Sequence, residues 1–409
     1  MTSRPFLTLL FAEGFALLGT RLSMIAVPWL VLTELGDPLL AGIVAFAEMA
    51  PYVLAKAAGG PLIDRLGARR VSIVTDAFSV AALAALPLLF AAGLLVPATL
   101  VPLMAVIGLL RGPADAAKYA MIPAVAETSG LPMTRVTGLL SSVERLAGLL
   151  GAGLAAGLVA VVGPANALLV NAGLVGLAAL TVLFGLRGVA PPEAEGEGEP
   201  YLTRLAAGWR YLRQDGTLLA ITLMVAATNL LDQGMGALLL PVWAEQTGSV
   251  AHLGAVQMAL GAGAVTGSLV ASAWAEKLPR LPTYAIAYII VGLPRYALFV
   301  LPLPFWALLA GVAFGGFMAG FLNPIIGALI FERVPKALTG RVTSLFTAIA
   351  WAGMPFGGLI AGALVEGWSL TIAFIALGSA YFVATMAPLL VPSFRQMDRV
   401  EPVRAPEAA

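Results

Sequence analysis

The chain has no cysteine and only one histidine, His252, in 409 residues. The absence of cysteine excludes disulfides, thiolate metal sites and thiol nucleophiles; His252, near the outer end of an apolar run, is read as a surface residue. Charge is also scarce. Asp, Glu, Lys and Arg make up 11% of the chain, where a soluble domain carries roughly 25%. The 23 basic and 22 acidic side chains nearly cancel, at a net charge of +1, so no basic surface points to nucleic acid. There is no Gly-rich loop closing on Lys-Ser or Lys-Thr, which excludes a Walker-type ATP site. No metal cluster and no nucleophile paired with a base points to an enzyme, and no cofactor is implied.

What remains is apolar. Hydrophobic residues make up 60% of the chain and the mean hydropathy is +0.95. One soluble core cannot hide that much, so the lipid bilayer is the expected solvent. Twelve runs are long enough for a hydrocarbon layer of about 30 Å, which takes about 20 helical residues. The first, 6–33, is too long for a signal-peptide core of roughly 7 to 15 residues and has no cleavage-like end, so it is read as a retained span. It is followed by 39–62, 71–95, 98–125, 136–162 and 165–186, then by 217–244, 251–275, 283–301, 305–331, 342–365 and 370–391. Backbone groups in hydrocarbon must pair within their own segment, and these runs are too long for barrel strands, so an all-α membrane protein of twelve transmembrane helices follows.

Orientation comes from the basic residues. Arg65, Arg69, Arg70, Arg135, Arg187, Arg204, Arg210, Arg213, Lys277, Arg280, Arg333, Lys336, Arg341 and Arg395 fall on one side, and the opposite loops hold no Lys or Arg. The positive-inside rule then predicts a multi-pass protein with both termini cytoplasmic.

The second half echoes the first. Arg135-Val-Thr-Gly-Leu139 opens the fifth span and Arg341-Val-Thr-Ser-Leu345 the eleventh; Pro28-Trp29 answers Pro241-Val-Trp243; Gly112-Pro113 answers Asn323-Pro324. Ser272, Glu276, Lys277, Pro279 and Arg280 form a degraded copy of the charged loop between the second and third spans. Their collinear order predicts two six-helix pseudo-repeat bundles. The expected organisation is one bundle over 1–187, a cytoplasmic linker over 188–215, a second bundle over 216–392 and a tail over 393–409. The Pro-, Gly- and Glu-rich stretch at 188–200 cannot bury a core. Residues 201–214 place Leu202, Leu205, Trp209 and Leu212 on one face, as an interfacial helix would; an extension of the seventh span is the alternative.

The most specific signal is the charged loop itself, Gly60-Pro-Leu-Ile-Asp64-Arg65-Leu-Gly67-Ala-Arg69-Arg70. Its ordered Gly, Asp-Arg, Gly and basic pair resemble the cytoplasmic loop signature of the major facilitator superfamily. With Ala26-Val-Pro-Trp-Leu-Val-Leu32 and Gly208-Trp-Arg-Tyr-Leu-Arg213, the chain resembles Tap-like and enterobactin-exporter-like efflux proteins within that superfamily. The resemblance implies the major facilitator fold in a bacterial cytoplasmic membrane. It also implies proton-driven export of amphipathic small molecules, drugs among them, by alternating access, with a monomer expected. In the resembled family the acid at position 64 meets the start of the eleventh span, here Thr339-Gly340-Arg341, which makes Gly60, Asp64, Arg65, Gly67, Arg69 and Arg70 a gating loop. The fifth span departs from the efflux pattern, being rich in Gly and Ala from Gly148 to Gly157 but without proline.

Ionisable residues at membrane depth each cost at least about 2.5 to 3.5 kcal/mol, so they mark mechanism. The first half carries Glu13 and Arg21, Glu48 and Lys56, Arg111, Asp115 and Lys118, and Glu144 and Arg145; the second offers Asp232 and Arg295. Arg111, Asp115 and Lys118 stand at i, i+4 and i+7 and share one face. Arg21 and Glu48 fall in one layer, and Glu13 and Asp232, with the least obvious partners, are the protonation candidates. Either a proton-coupling network or static packing pairs fits these charges. A permissive cavity is expected from Met24, Phe46, Met49 and Tyr52 with Asn229, Gln233, Met235, Phe317, Phe321, Asn323, Trp351 and Met354. Export of a dedicated metabolite such as a siderophore or lipid is the alternative substrate reading. A non-transporting scaffold or scramblase is the alternative of another class.

Overall fold

Each expected membrane run is helical in the computed structural model, which describes residues 4–187, 189, 201–274 and 278–397. The acidic stretch 190–200, Glu276 and Lys277 of the degraded loop copy, and the tail from 398 onward lie outside the described residues. Eleven helices among the described residues are long and apolar enough to cross a bilayer. They are α1 (Arg4–Leu35), α2 (Pro38–Ala58), α3 (Ala68–Ala91), α4 (Pro97–Ser129), α5 (Met133–Val162), α6 (Pro164–Gly185), α7 (Gly216–Gln246), α8 (Val250–Trp274), α10 (Phe305–Arg333), α11 (Leu338–Gly367) and α12 (Leu370–Leu390). The remaining run, α9, is broken into Arg280–Val291 and Leu293–Ala297. Gly292, at ψ −127°, leaves the helical region there, and Pro294 just beyond it has no N–H to continue the ladder. No strand occurs among the described residues.

The described residues form two compact units. The first is drawn from Met1–Glu195, Ala237–Met258 and Gly358–Glu366; the second from Gly196–Gly236, Ala259–Gly357 and Gly367–Ala409. In the first unit α1 packs on α5 and α6, α3 on α4 and α6, and α2 on α4. The second repeats this pattern, with α7 on α11 and α12 and α9 on α10 and α12. Small residues make the tightest of these contacts. A β-carbon at Gly112 would meet the Tyr52 carbonyl oxygen at 2.6 Å, and one at Gly108 would overlap the Glu48 backbone. In the second unit Gly316 and Gly320 of α10 press on the α8 backbone in the same way, which is the small-xxx-small contact of membrane helices.

Between α2 and α3 the charged loop forms a short helix, Gly60–Leu66, that stops at Gly67 with φ +83°. A side chain is strained in that region, which explains the glycine. The helix Tyr201–Gln214 is separate from α7 because Asp215 breaks the chain between them and accepts the Thr217 and Leu218 N–H groups, each at 3.0 Å. Among its described side chains Tyr211 and Leu212 are buried, while Trp209, which the periodicity places on the apolar face, is 42% exposed. Tyr211 donates to the Arg333 carbonyl at 2.5 Å. Burial, and then the Asp215 charge, push the Tyr211 hydroxyl above its usual pKa.

Candidate functional site

Gly108 and Gly112 bring α2 close enough to α4 for two charged faces to interlock. Arg111, Asp115 and Lys118 lie along one side of α4; Glu48, Tyr52 and Lys56 recur every four residues along α2. Arg111 Nη1 donates to Glu48 Oε1 at 2.5 Å, and Nη2 to Thr20 Oγ1 of α1 at 3.0 Å. The Tyr52 ring lies under both cations, 5.4 Å from Arg111 Cζ and 5.2 Å from Lys56 Nζ. Lys56 donates to the Tyr52 hydroxyl at 3.0 Å, and that hydroxyl donates to Asp115 Oδ2 at 3.1 Å. Lys118 Nζ then stands 3.9 Å from Asp115 Oδ1 and 3.0 Å from Asp76 Oδ2 of α3. Ser72 closes the run, donating to Asp76 Oδ2 at 3.4 Å. A polar chain thus passes from Lys56 through Tyr52, Asp115 and Lys118 to Asp76, across three helices.

Exposure varies along it. The Lys118 and Asp76 side chains are 1% and 4% exposed, and that of Asp115 is 30% exposed. Carboxylates at membrane depth favour the bundle interior or a polar path over lipid. Removing one partner from the buried Lys118–Asp76 pair would cost about 3–5 kcal/mol. Asp76 was not anticipated from the sequence. Its signal was a lone acid in an apolar run with Ser72 and Ser79 one turn to either side.

Other expected residues fall differently. Glu13 is half-buried and makes no hydrogen bond or ion pair among the described residues; its field partners are Lys118, Asp115, Glu144 and Lys56. Arg21 does not reach Glu48, because Glu48 is taken by Arg111; its Nη1 lies 3.8 Å from Met24 Sδ and its stem packs on Gly151. Glu144 and Arg145 are exposed on α5. Asp232 corrects the expectation of an acid without an obvious partner. It is ion-paired with Arg295, which is 8% exposed on the short second piece of α9. The Tyr381 hydroxyl lies 3.4 Å from Asp232, and Arg295 Cζ is 5.4 and 5.6 Å from the Tyr296 and Tyr381 rings.

Of the expected cavity residues in the first half, Met24 is exposed, Phe46 and Met49 are half-buried, and Tyr52 belongs to the charge chain. In the second half Met235 and Phe321 are buried, at 4% and 7% exposure. Phe321 packs edge-on against Phe317, centroids 5.4 Å apart. It also lines a cavity of ≈ 240 Å³ beside the Arg280–Glu332 pair of α9 and α10. Asn229 donates to the Ala350 carbonyl at 3.0 Å, Gln233 packs beside Gly357, Asn323 is exposed, and Trp351 and Met354 are half-buried. In the charged loop Gly60, Asp64, Arg65 and Arg70 are exposed, while Arg69 donates to the Leu183 carbonyl of α6 at 2.6 Å.

The family model for the Major Facilitator Superfamily matches residues 9–237 and 222–408. The multidrug efflux pump Tap of Mycobacterium tuberculosis is 32% identical over 406 residues, covering 96% of this chain and 95% of the relative. Tap of Mycolicibacterium fortuitum is 29% identical, covering 96% and 97%. The crystal structure of the nucleoside transporter NupG superposes with a TM-score of 0.76 at 15% identity, covering 96% of this chain and 100% of that one. A POT family transporter solved with 5-aminolevulinic acid gives 0.72 at 15% identity, covering 96% of each chain. The paired helices, the repeated contacts and the buried charges of α1 to α4 therefore sit in a multi-pass membrane transporter, and the chain belongs to the major facilitator superfamily.

Proposed function

We propose that this protein exports amphipathic small molecules, drugs among them, from a bacterial cell in exchange for protons. It is a monomer in the cytoplasmic membrane with both termini inside. The observation that carries the reading is the chain from Lys56 to Asp76, in which Asp115 is partly exposed while Lys118 and Asp76 are sealed. Such an arrangement gives protons an entry and holds counter-charges that differ in their access to water. Nearly full-length likeness to proteins named as multidrug efflux pumps supports the substrate class. Glu13, facing the same cations without a direct partner, is the acid that loads and unloads, and Asp64 belongs to the gate that closes as the two halves alternate. One proton crossing the membrane releases about 2.3 kcal/mol per 100 mV, and a concentration ratio of ten costs about 1.4 kcal/mol, so one proton per molecule sustains a useful gradient.

Proteoliposomes loaded with a pH-sensitive dye test this. Efflux of ethidium and of a neutral lipophilic dye should follow an imposed pH gradient and collapse with a protonophore. Glu13→Gln should lose the pH dependence while still binding dye. Transport that ignores the gradient in the unaltered protein, or full coupling in Glu13→Gln, would overturn the proton-antiport reading or the assignment of Glu13, respectively.

A further inference from the structure

Beside Lys118, residues of α1, α3, α4 and α6 line a small polar cavity. Its wall includes Thr20 and Ser23 of α1, Asp76 of α3, Asp115 and Lys118 of α4, and Asn171 of α6. The cavity measures ≈ 20 Å³, and one water needs roughly 10–15 Å³ of such space and two to four polar partners. Asn171 supplies a reason for an occupant. It is 2% exposed and its Nδ2 donates to Ser23 Oγ at 2.5 Å, yet its Oδ1 is buried with no hydrogen-bond partner. A buried carbonyl without a partner is destabilising, and α6 carries this amide where an apolar residue would pack without that penalty. Gly19 keeps the place open, since a β-carbon there would collide with Asn171 Oδ1.

We propose that this cavity is a water site, and that its water passes protons between Asp115, at the exposed edge, and Asp76, sealed behind Lys118. Lys118 Nζ, within 3.9 Å of one carboxylate and 3.0 Å of the other, holds both against the cavity. In the transfer a protonated Asp115 gives its hydrogen to the water oxygen while the water gives one of its own to Asp76, so the water is regenerated and only a proton has moved. Asn171 Oδ1 accepts the water's other hydrogen and fixes its orientation. The ionisable groups facing this path are Glu13 of α1; Glu48, Tyr52 and Lys56 of α2; Asp76 of α3; and Arg111, Asp115 and Lys118 of α4, with Glu144 of α5 acting through Glu13. No ionisable side chain of α6 lines the cavity, which leaves Asn171 as that helix's polar contribution. The site deepens the proton-coupled reading by adding a second carrier, but the water and its transfer step stand independently of whether transport is coupled.

The test uses the full chain in lipid nanodiscs, followed by infrared difference spectroscopy during a pH titration in H2O and D2O. The unaltered protein should show a carboxylic-acid band that disappears in Asp76→Asn, together with the stretch of a strongly bonded water. Asn171→Leu, similar in size but apolar, should lose the water band and slow deuterium exchange at Asp76 by about tenfold; Asn171→Ser, which leaves room and a hydroxyl, should keep both. If Asn171→Leu does not fold, Val175→Met fills the same cavity from α6 and reads the same step. An Asp76 that exchanges at the unaltered rate in the filled variant, or that stays ionised throughout the titration, overturns the proposal. In proteoliposomes the filled variant should bind dye within twofold of the unaltered protein while its proton flux falls about tenfold. Dye movement without protons in the unaltered protein would sink the antiport reading, and the infrared result would still decide the water site.

Discussion

Replacing Asp215 with Asn removes one charge from a place where nearly everything else is retained. The Asp215 side chain is fully buried, caps α7 through the Thr217 and Leu218 N–H groups, and pairs with Arg333 at 2.7 Å through Nε and 3.3 Å through Nη2. Asn keeps the cap, so that part of the loss is a few tenths of a kcal/mol. Arg333, 5% exposed, keeps its bond to the Gln396 carbonyl at 3.1 Å and meets a neutral amide where the Asp215 carboxylate stood. Breaking a buried pair costs about 3–5 kcal/mol, and the remaining amide and carbonyl acceptors place this case near the low end, about 3 kcal/mol. Asp215→Ala adds a lost cap for a total of about 4 kcal/mol. Changing both residues, Asp215→Asn with Arg333→Gln, removes the buried cation together with its counter-charge, so the pair of changes should cost about 1–2 kcal/mol less than Asp215→Asn alone. Unfolding in mixed micelles with increasing dodecyl sulfate, read by the seven tryptophans, measures all three. An Asp215→Asn protein within about 0.5 kcal/mol of the unaltered one, or a double variant no more stable than the single, would refute the reasoning.

Tyr211→Phe should cost about 1 kcal/mol through the lost bond to Arg333, and it should change the alkaline limb of stability. Because the folded-state pKa of Tyr211 is raised, its contribution is fully present below the unfolded value of about 10 and is lost as pH climbs through the folded one, so the unaltered protein should lose more stability there than the Phe variant. Gly42→Val should force α2 from the α11 backbone, since a β-carbon at Gly42 meets the Gly358 carbonyl oxygen at 2.5 Å. With no native cysteine to interfere, spin labels at Glu34→Cys and Glu366→Cys should report a longer distance and turnover should fall about tenfold; an unchanged distance distribution counts against the contact. Tyr52→Phe cuts the bridge between Lys56 and Asp115, and proton-driven dye efflux should drop about tenfold with binding retained; efflux at the unaltered rate would remove Tyr52 from the path.

Much of the architecture was readable from one dimension. The length of each apolar run and the requirement that backbone groups pair inside hydrocarbon dictated helices, and the period of 3.6 placed Arg111, Asp115 and Lys118 on one face. The collinear echoes announced a repeat whose helix pairings recur in both units, and the charged loop carried the family resemblance. The ninth run misled only in continuity, because a Gly-Leu-Pro step inside an apolar stretch does not say whether the helix bends or breaks.

The partner of each charge was a different matter. Periodicity tells which side of a helix a residue occupies, but not which neighbour that side meets or how closely the backbones approach. The contacts of Gly108 and Gly112 deliver Glu48 to Arg111 rather than to Arg21, and the short second piece of α9 delivers Arg295 to Asp232. Asp76, one acid in an apolar run, gained its meaning only when Lys118 was found beside it from a helix 42 positions along the chain. Composition and pattern therefore settled that the chain is helical, embedded and duplicated, because those follow from solvation and hydrogen bonding along a single segment. The rotation and spacing of packed helices, which depend on contacts between distant segments, decided which acids are sealed and which are exposed.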